Sequence, residues 1–258
     1  MRLVGAEFLK LRRRLGLVSL ALGLIVVPAL IMLLVTGDGG DGRGGMRSFA
    51  DQFGVVATLT VICGILVGAT SGTADVSSGV FRDLVVTGRS RLDLYAARVP
   101  AGLALVLLAA ALGFALVVAT AYLSAGSTPT RFDHFEQFGT GAPEASVLVE
   151  AGLWLALVGA VSFGLAFGIA SVVGTPGPSI AVLLGLWLVV TPLAQSFDPD
   201  GWLFDSLVLA GLDRVMPESL RVGDPATQMS LAAGIVVVWA WTSLPLVAGA
   251  WRTLTRDA

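Results

Sequence analysis

Charged residues, histidine, cysteine and lysine are all scarce in this sequence of 258 residues. Charged residues make up 13% of the chain, and hydrophobic residues make up 55%. A soluble globular domain usually has about 25% charged and about 45–50% apolar residues. So few charges cannot cover the surface of a soluble protein of this length. The composition therefore predicts a membrane protein.

The residue types that most often build catalytic and metal sites occur once each. The chain has one histidine, His134, one cysteine, Cys63, and one lysine, Lys10. A His/Cys metal site or a Cys–His nucleophile is therefore not expected. The phosphate loop of an ATPase needs the pattern G-x-x-x-x-G-K-[ST], and no such glycines precede Lys10. We expect no metal, no cofactor and no enzymatic activity in the chain itself.

Long runs without charge predict an all-α integral membrane protein, a single domain over residues 1–258. A bilayer core about 30 Å thick needs about 20 helical residues, and only helices satisfy their own backbone in lipid. The longest run, residues 151–197, exceeds one crossing and contains a Gly/Pro-rich turn signal at 174–178. It therefore predicts a hairpin. The six predicted crossings are residues 15–36, 53–73, 100–123, 150–173, 179–197 and 227–250.

The charges are distributed unequally between the two sides of these crossings. Eleven of the 16 Lys and Arg residues lie before the first crossing, in residues 75–99 or after the last crossing. Thirteen of the 18 Asp and Glu residues lie on the opposite side. Basic residues favour the cytoplasmic side of short loops. The asymmetry predicts an N-in, C-in topology with residues 75–99 in the cytoplasm.

The N-terminal residues 1–14 have the pattern of an amphipathic helix. Val4, Phe8 and Leu11 fall on one helical face, and basic residues follow them. Such a helix can lie in the plane of the membrane surface, attracted by anionic lipid. The alternative is that these residues are only the positive flank that orients the first crossing.

The segment between the second and third crossings is longer than the 2–8 residues that usually join antiparallel helices. Phe81, Leu84 and Gly88 have helical spacing, which predicts a short cytoplasmic helix over residues 76–87. Its length and amphipathic character favour a surface that contacts a partner. A solvated loop retained for topology is the alternative.

Ser90-Arg91-Leu92-Asp93 matches a helix capping box, with Ser90 as the N-cap and Asp93 reaching back to it. The pattern predicts a helix from about Arg91 into the third crossing, bent near Pro100. Residues 198–224 form the last long loop. In it, a helical stripe that stops at Pro217 predicts an interfacial or re-entrant helix, formed by Leu203, Phe204, Leu207, Val208, Leu212 and Val215.

Two local patterns, together with six crossings, resemble a known family. The N-terminal helix contains E-F-x-K-L-R-R, here Glu7 to Arg13. The loop after the second crossing has the order acid, glycine, leucine and Ser-Arg, here Asp75, Gly79, Leu84 and Ser90-Arg91. Over nearly the whole chain this resembles the membrane subunit of ABC-2-type ABC transporters, the type V exporter fold. Many members have Glu where this chain has Asp75, whose side chain is one methylene shorter.

The resemblance implies partners that this chain does not contain. A separate ATPase subunit would supply ATP and Mg, and a second permease copy or a paralogue would complete a dimer in a bacterial plasma membrane. No nucleic-acid partner is implied. An interface helix with Glu7, Phe8 and Leu11 would lie on membrane lipid. The cytoplasmic loop would be a coupling loop that docks in the ATPase through Asp75, Gly79, Phe81, Arg82, Asp83 and Leu84.

Few polar residues lie inside the predicted crossings. Most of them, including Ser162, are expected to hydrogen-bond between helices. The second and fifth crossings line the pathway in the family, so the lining candidates are Thr58, Thr60, Thr191 and Gln195. A path without fixed charge suits export of an apolar or amphipathic drug, peptide or lipid-like molecule. One alternative is an ion-coupled transporter, but such transporters usually have ionisable residues deep in the bilayer, and none lies near the centre of a predicted crossing. The other alternative is a membrane scaffold.

Overall fold

The protein is helical throughout the part of the chain that its computed structural model describes, which is residues 2–37, 45–77, 90–125, 141–197, 201–221 and 227–255. No strand occurs in these residues. The long helices are α1 (Arg2–Arg13), α2 (Leu15–Gly37), α3 (Gly45–Ser77), α4 (Arg91–Ser124) and α5 (Ala145–Val173). They are followed by α6 (Pro176–Gly185), a π-helical segment (Leu186–Val190), α7 (Thr191–Phe197), α8 (Trp202–Asp205), α9 (Val208–Val215), a 3-10 turn (Glu218–Leu220) and α10 (Leu231–Thr255).

Six helical stretches are long and apolar enough to cross a membrane, which confirms the predicted number. They are α2, α3, α4, α5, the continuous stretch from α6 to α7, and α10. The central pair, α3 and α5, is the most buried, whereas α2, the fifth stretch and α10 expose most of their surface. So much exposed apolar surface on long helices is unusual for a protein in water. The chain is therefore a multi-pass membrane protein.

Several helices extend beyond the predicted crossings. Helix α3 starts at Gly45, before the predicted residue 53, and α5 starts at Ala145, before residue 150. Helix α4 starts at Arg91 and continues through Pro100 without interruption. The charge-free runs mark the hydrocarbon layer, but a helix can continue past that layer into water. These helices therefore continue beyond the predicted membrane-crossing segments, whose bounds stay predictions.

The predicted helix start after the cytoplasmic loop is confirmed. The Ser90 side chain accepts a hydrogen bond of 3.0 Å from the backbone N–H of Asp93, as an N-cap does. The next residue, Arg91, donates from Nη1 to the backbone oxygen of Leu254 at 3.0 Å. This contact places the start of α4 and the end of α10 at the same end of the helix bundle.

The turn between the fourth and fifth crossings is also confirmed. Gly174 ends α5 with a φ of 85°, a left-handed conformation that glycine adopts without strain. Pro176 then occupies the first turn of α6, where its missing N–H costs nothing. The turn is shorter than the predicted residues 174–178, because the prolines begin the next helix instead of separating it.

Helix α5 contacts α3 through a row of glycines on α3. A Cβ atom added to Gly68 would lie 2.5 Å from the carbonyl oxygen of Phe163, and one added to Gly72 would lie 2.6 Å from that of Phe167. Any side chain at these positions would therefore collide with the backbone of α5. Gly64, one turn earlier, is similarly close to Ser162. The spacing is a repeated G-x-x-x-G, which permits close helix contact in membranes.

The opposite side of α5 contacts α10 in the same way. A Cβ atom on Gly168 would lie 2.4 Å from the carbonyl carbon of Pro245, and one on Gly249 would lie 2.9 Å from the Gly168 oxygen. We refer to these two sets of close backbone approaches, on α3 and α10, as the glycine contacts of α5. They place α5 at the centre of the bundle.

The glycine contacts predict a position-specific stability effect. Gly68→Ala should destabilise the protein by about 1–3 kcal/mol, because the new methyl group meets a backbone carbonyl that cannot move without separating the helices. The matched control is Gly54→Ala in the same helix, where open space surrounds the position. The control should be neutral or slightly stabilising, because alanine favours helix. Thermal unfolding in detergent measures both, and equal stability of the two variants would contradict the close contact.

Candidate functional site

Residues 201–221 form a compact segment across one end of the bundle, which we call the cap. The sequence predicted one helix here, but the structure has two, α8 and α9, separated at Ser206 and Leu207. The break turns the apolar residues inward. Val208 and Leu212 pack in one cluster with residues of α3, α5 and α10. Leu203, by contrast, is 44% exposed and is not part of that core.

Side chains of the spanning helices hold the cap in place. The indole Nε1 of Trp241, on α10, donates to the backbone oxygen of Ser206 at 2.7 Å. The indole Nε1 of Trp154, on α5, donates to the backbone oxygen of Leu212 at 3.4 Å. The Ser219 hydroxyl donates to the Glu150 carboxylate at the start of α5. Three contacts on two spanning helices therefore fix the position of the cap.

The last turn of α9 is closed by an arginine. Nη2 of Arg221 donates to the backbone oxygen of Met216 at 2.6 Å and lies 3.4 Å from the oxygens of Asp213 and Arg214. A cation at this position satisfies carbonyl groups that lack helical partners and complements the negative end of the helix dipole. Arg221 therefore stabilises the C-terminal end of α9 directly above the bundle.

A cavity of about 250 Å³ lies beneath the cap, and we call it the cap cavity. Helices α3 and α5 form its walls, the π-helical segment closes one side and α9 covers it. Its lining is largely apolar and carries no charged side chain among the described residues. The lining residues are Phe53, Gly54, Ala57, Thr58, Val61, Trp154, Val158, Trp187, Leu209, Leu212 and Met216.

Aromatic rings stiffen the wall of the cap cavity. The rings of Phe53 and Trp154 have centroids 5.8 Å apart, and Phe49 stacks on Phe53 at 5.5 Å. Phe114, on α4, makes edge contacts with both phenylalanines at 6.2 Å. Aromatic pairs in these geometries add to the stabilisation from burial. Phe53 and Trp154, which line the cavity, are therefore held in place by further rings behind them.

The four predicted lining residues occupy different environments. Thr58 is exposed and lines the cap cavity. Thr60 is fully buried against Gly159 of α5 and is not among the lining residues. Thr191 is 2% exposed within the fifth crossing, and Gln195 is exposed near its end. The structure therefore brings only Thr58 to the cavity.

Three of the hydroxyls expected to bond between helices bond within their own helix instead, so that expectation was wrong for them; the Ser171 hydroxyl of α5, by contrast, does reach the backbone oxygen of Gly72 on α3, at 3.4 Å. The hydroxyls of Thr58, Thr60 and Ser162 donate to the backbone oxygens of Gly54, Val56 and Val158, each four residues earlier in the same helix. A Ser or Thr hydroxyl reaches its own helix backbone at lower entropic cost than a neighbouring helix.

Thr191 has a local role in the π-helical segment. Both its hydroxyl, at 2.8 Å, and its backbone N–H donate to the oxygen of Leu186, five residues earlier. Pro192 follows and removes a backbone donor from the next turn, and π-turns occur where the regular ladder is interrupted. The wider turn lies beside Trp187, which lines the cap cavity. The hydrophobic periodicity of the sequence could not reveal the π-turn, because a π-turn shifts the helical register of the following residues by one position.

Most of the predicted coupling residues lie outside the described part of the chain. This applies to Gly79, Phe81, Arg82, Asp83 and Leu84, and to the side chain of Asp75. On α1, Glu7 forms an ion pair of 2.6 Å with Lys10. Phe8 is 43% exposed, and the Leu11 side chain lies outside the described residues.

Comparison with known proteins identifies no relative. No protein-family model matches the sequence, and no curated protein matches it significantly. The geometry of the bundle, the cap and the cap cavity is therefore the basis for a functional proposal.

The contact between Trp154 and the cap predicts a local change in dynamics. Trp154→Phe keeps an aromatic ring but removes the donor to the Leu212 oxygen, and an unpaired buried carbonyl costs about 1–3 kcal/mol. Hydrogen exchange of peptides covering residues 208–216 should therefore accelerate. Trp239→Phe is the matched control, because the Trp239 side chain is 70% exposed on α10. Unchanged exchange in Trp154→Phe would show that this bond does not hold the cap.

Proposed function

We propose that the chain is the transmembrane subunit of an ATP-driven ABC-2-type exporter in a bacterial plasma membrane. It works as a dimer with a second copy or a paralogue, with both termini in the cytoplasm. Two separate ATPase subunits bind its coupling loop and hold the ATP and Mg. The exported molecule is apolar or amphipathic.

The position of α4 is the observation that carries the proposal. Helix α4 begins at Arg91, shortly after residues 76–87, where the coupling helix is expected, and it packs against α1, α2, α3 and α5. Its first turn is also tied to α10 through Arg91 and the Leu254 oxygen. A displacement of the coupling loop would therefore act on most of the bundle at once.

Contacts further along α4 support the transmission of such a displacement. The Tyr95 hydroxyl donates to the backbone oxygen of Leu246 on α10 at 2.8 Å. The Tyr95 ring lies 4.9 Å from that of Phe167 on α5. Because α5 also forms a wall of the cap cavity, closure of the ATPase subunits can tilt α4 and α5 together. The cavity at the far end of α5 would then change shape.

The lining of the cap cavity supports the substrate class. An uncharged, aromatic surface favours an apolar or amphipathic molecule, because a charged group would lose its hydration there without gaining a partner. The single hydroxyl on the lining, Thr58, donates to its own helix backbone. Its remaining lone pair offers one weak polar contact to a bound molecule.

The proposed coupling helix can be tested by substitution of its apolar anchors. Phe81→Ala and Leu84→Ala should each reduce co-purification of the ATPase subunit about thirtyfold, because central apolar anchors often contribute at least about 2 kcal/mol. Leu92→Ala is the matched control, since Leu92 is a nearby leucine, 49% exposed on the first turn of α4. Expression should remain near wild type in all three. Intact ATPase binding and stimulation in both anchor variants would exclude residues 76–87 as the coupling helix.

The role of the cap cavity is tested separately by filling it. In vesicles holding the permease and its ATPase, Thr58→Trp should lower ATP-dependent export of an apolar dye about tenfold or more, because the indole occupies the space beside Trp154. Val55→Trp, on the same helix but not on the cavity lining, should leave export unchanged. Dissipating the proton gradient at constant ATP should also leave it unchanged. Equal inhibition by both tryptophans, or transport that follows the gradient, would refute the proposal.

A further inference from the structure

A second, smaller pocket lies at the opposite end of the bundle from the cap, between α1, the first turn of α2, α3 and α4. We call it the basic pocket. Its volume is about 30 Å³, and about 10–15 Å³ is enough for one water molecule. It therefore suits one small polar group better than a complete organic molecule. The lining residues are Glu7, Lys10, Arg14, Leu17, Ser71, Ala74, Arg98, Ala101 and Gly102.

Positive charge dominates this lining. Three of the lining residues, Lys10, Arg14 and Arg98, are cationic, and only Glu7 is acidic. Glu7 pairs with Lys10 at 2.6 Å, so its carboxylate is directed to the lysine. The pocket therefore has a net positive charge, and an anion entering it is attracted by more than one cation.

The arginine at the inner wall of the pocket is unusually deep for a charged residue. Arg98 is 4% exposed, and its Nη1 lies 3.5 Å from the backbone oxygen of Gly72 on α3. Arg98 lies within α4, in the helix that the sequence predicted from about Arg91, but its burial was not predicted. A buried guanidinium is costly unless anionic or acceptor groups surround it. Its planar group of five donors also matches the oxygens of a phosphate.

The surroundings of the basic pocket indicate that it lies at the depth of lipid headgroups. Arg14 separates the amphipathic helix α1 from the spanning helix α2, so it stands at the edge of the apolar stretch that begins at Leu15. Phe8 is 43% exposed on α1, and Leu15 is 72% exposed at the start of α2. These apolar side chains beside a cationic pocket present two surfaces that match the acyl chain and the phosphate of one lipid.

We propose that the basic pocket binds the phosphate of an anionic phospholipid. Arg98 contacts the phosphate from inside, and Lys10 and Arg14 contact it from the rim, while the acyl chains lie along the exposed apolar side chains of α1 and α2. Basic pockets between spanning helices recognise anionic headgroups in this way. The bound lipid would connect α1 to α3 and α4. This site is independent of the proposed transport function and would exist in a scaffold as well.

The test compares two neighbouring arginines with the same change of charge. The full-length protein in neutral detergent is titrated with dioleoyl phosphatidylglycerol, and bound lipid is counted by native mass spectrometry alongside the shift in unfolding temperature. Arg14→Gln should weaken lipid binding about tenfold, because it removes one charge-assisted contact. Arg13→Gln changes an exposed residue that does not line the pocket, and its binding should stay within about twofold of wild type.

Three further arms identify the ligand and its contacts. Dioleoyl phosphatidylcholine should not stabilise the protein, and no complex with it should be detected by native mass spectrometry, because its headgroup has no net charge. Inorganic phosphate should not displace the bound phosphatidylglycerol, because it lacks the acyl chains. Arg98→Lys keeps the charge but loses the planar donor group, so its binding should be weaker than that of wild type.

The outcomes that would overturn this proposal are specific. If Arg13→Gln and Arg14→Gln weakened phosphatidylglycerol binding equally, the lipid would be held by general surface charge instead of in the pocket. Equal binding of phosphatidylcholine, in which choline balances the charge of the phosphate, would mean that the site does not select a headgroup with net negative charge. Stabilisation by inorganic phosphate to the same extent as by the lipid would assign the pocket to a free anion. Because Arg14 is exposed, its substitution does not depend on refolding of the core.

Discussion

The close backbone contact of α5 with α3 and α10 is the constraint on which the rest of the structure depends. Lipid tails are as apolar as leucine, so burial of apolar side chains drives helix association weakly inside a bilayer. Close packing and the dispersion contacts that it permits must supply the attraction. Gly68 and Gly72 allow this on one side of α5, and Gly168 and Gly249 allow it on the other. Larger residues at these positions would separate the three helices.

The position of α5 also determines where the aromatic side chains can go. Because α3 and α10 approach α5 so closely, the rings of Phe163 and Phe167 cannot lie between those backbones. They stack at 5.7 Å, Phe167 contacts Tyr95 of α4, and Phe163 closely approaches Gly102 of the same helix. Thus α4 packs against α5 through rings, whereas α3 and α10 pack through glycines. The asymmetry gives the bundle one arrangement in which small and large residues are complementary.

Hydrogen bonds are used differently in the middle of the bundle and at its ends. In the middle, hydroxyl groups such as those of Thr60 and Ser162 bond to their own helices. At the ends, side chains connect separate elements, as Trp241 does with the cap and Arg91 does with the end of α10. Helices that are joined by packing in the middle and by polar contacts at the ends can tilt as units. Both pockets lie at the ends, where such movement is largest.

The sequence alone determined the class of protein, the number of crossings and several local features. Charge-free runs of about 20 residues have no stable alternative to a spanning helix, and the Ser90 cap and the Gly174 turn depend on residues that are adjacent in the chain. The charge asymmetry also predicted the orientation, and the resemblance in Glu7–Arg13 and around Asp75 suggested the function. These inferences need only local chemistry or overall composition.

The tertiary structure decided which residues meet. Thr58 and Thr60 are two positions apart and equally polar, yet one lines the cap cavity and the other faces α5, because a helix turns by about 200° over two residues. In the sequence, Trp154 and Trp187 are indistinguishable from other apolar residues of two crossings. Only the tertiary structure, with its cap and π-turn, shows that they line one cavity. Arg98 lies in a helix that the sequence predicted, but only the packing of that helix places it in one pocket with Lys10 and Arg14, which are far away in the sequence. Composition and periodicity describe each helix separately. A site depends on the rotation and depth of several helices relative to one another, and close packing at the glycines sets both.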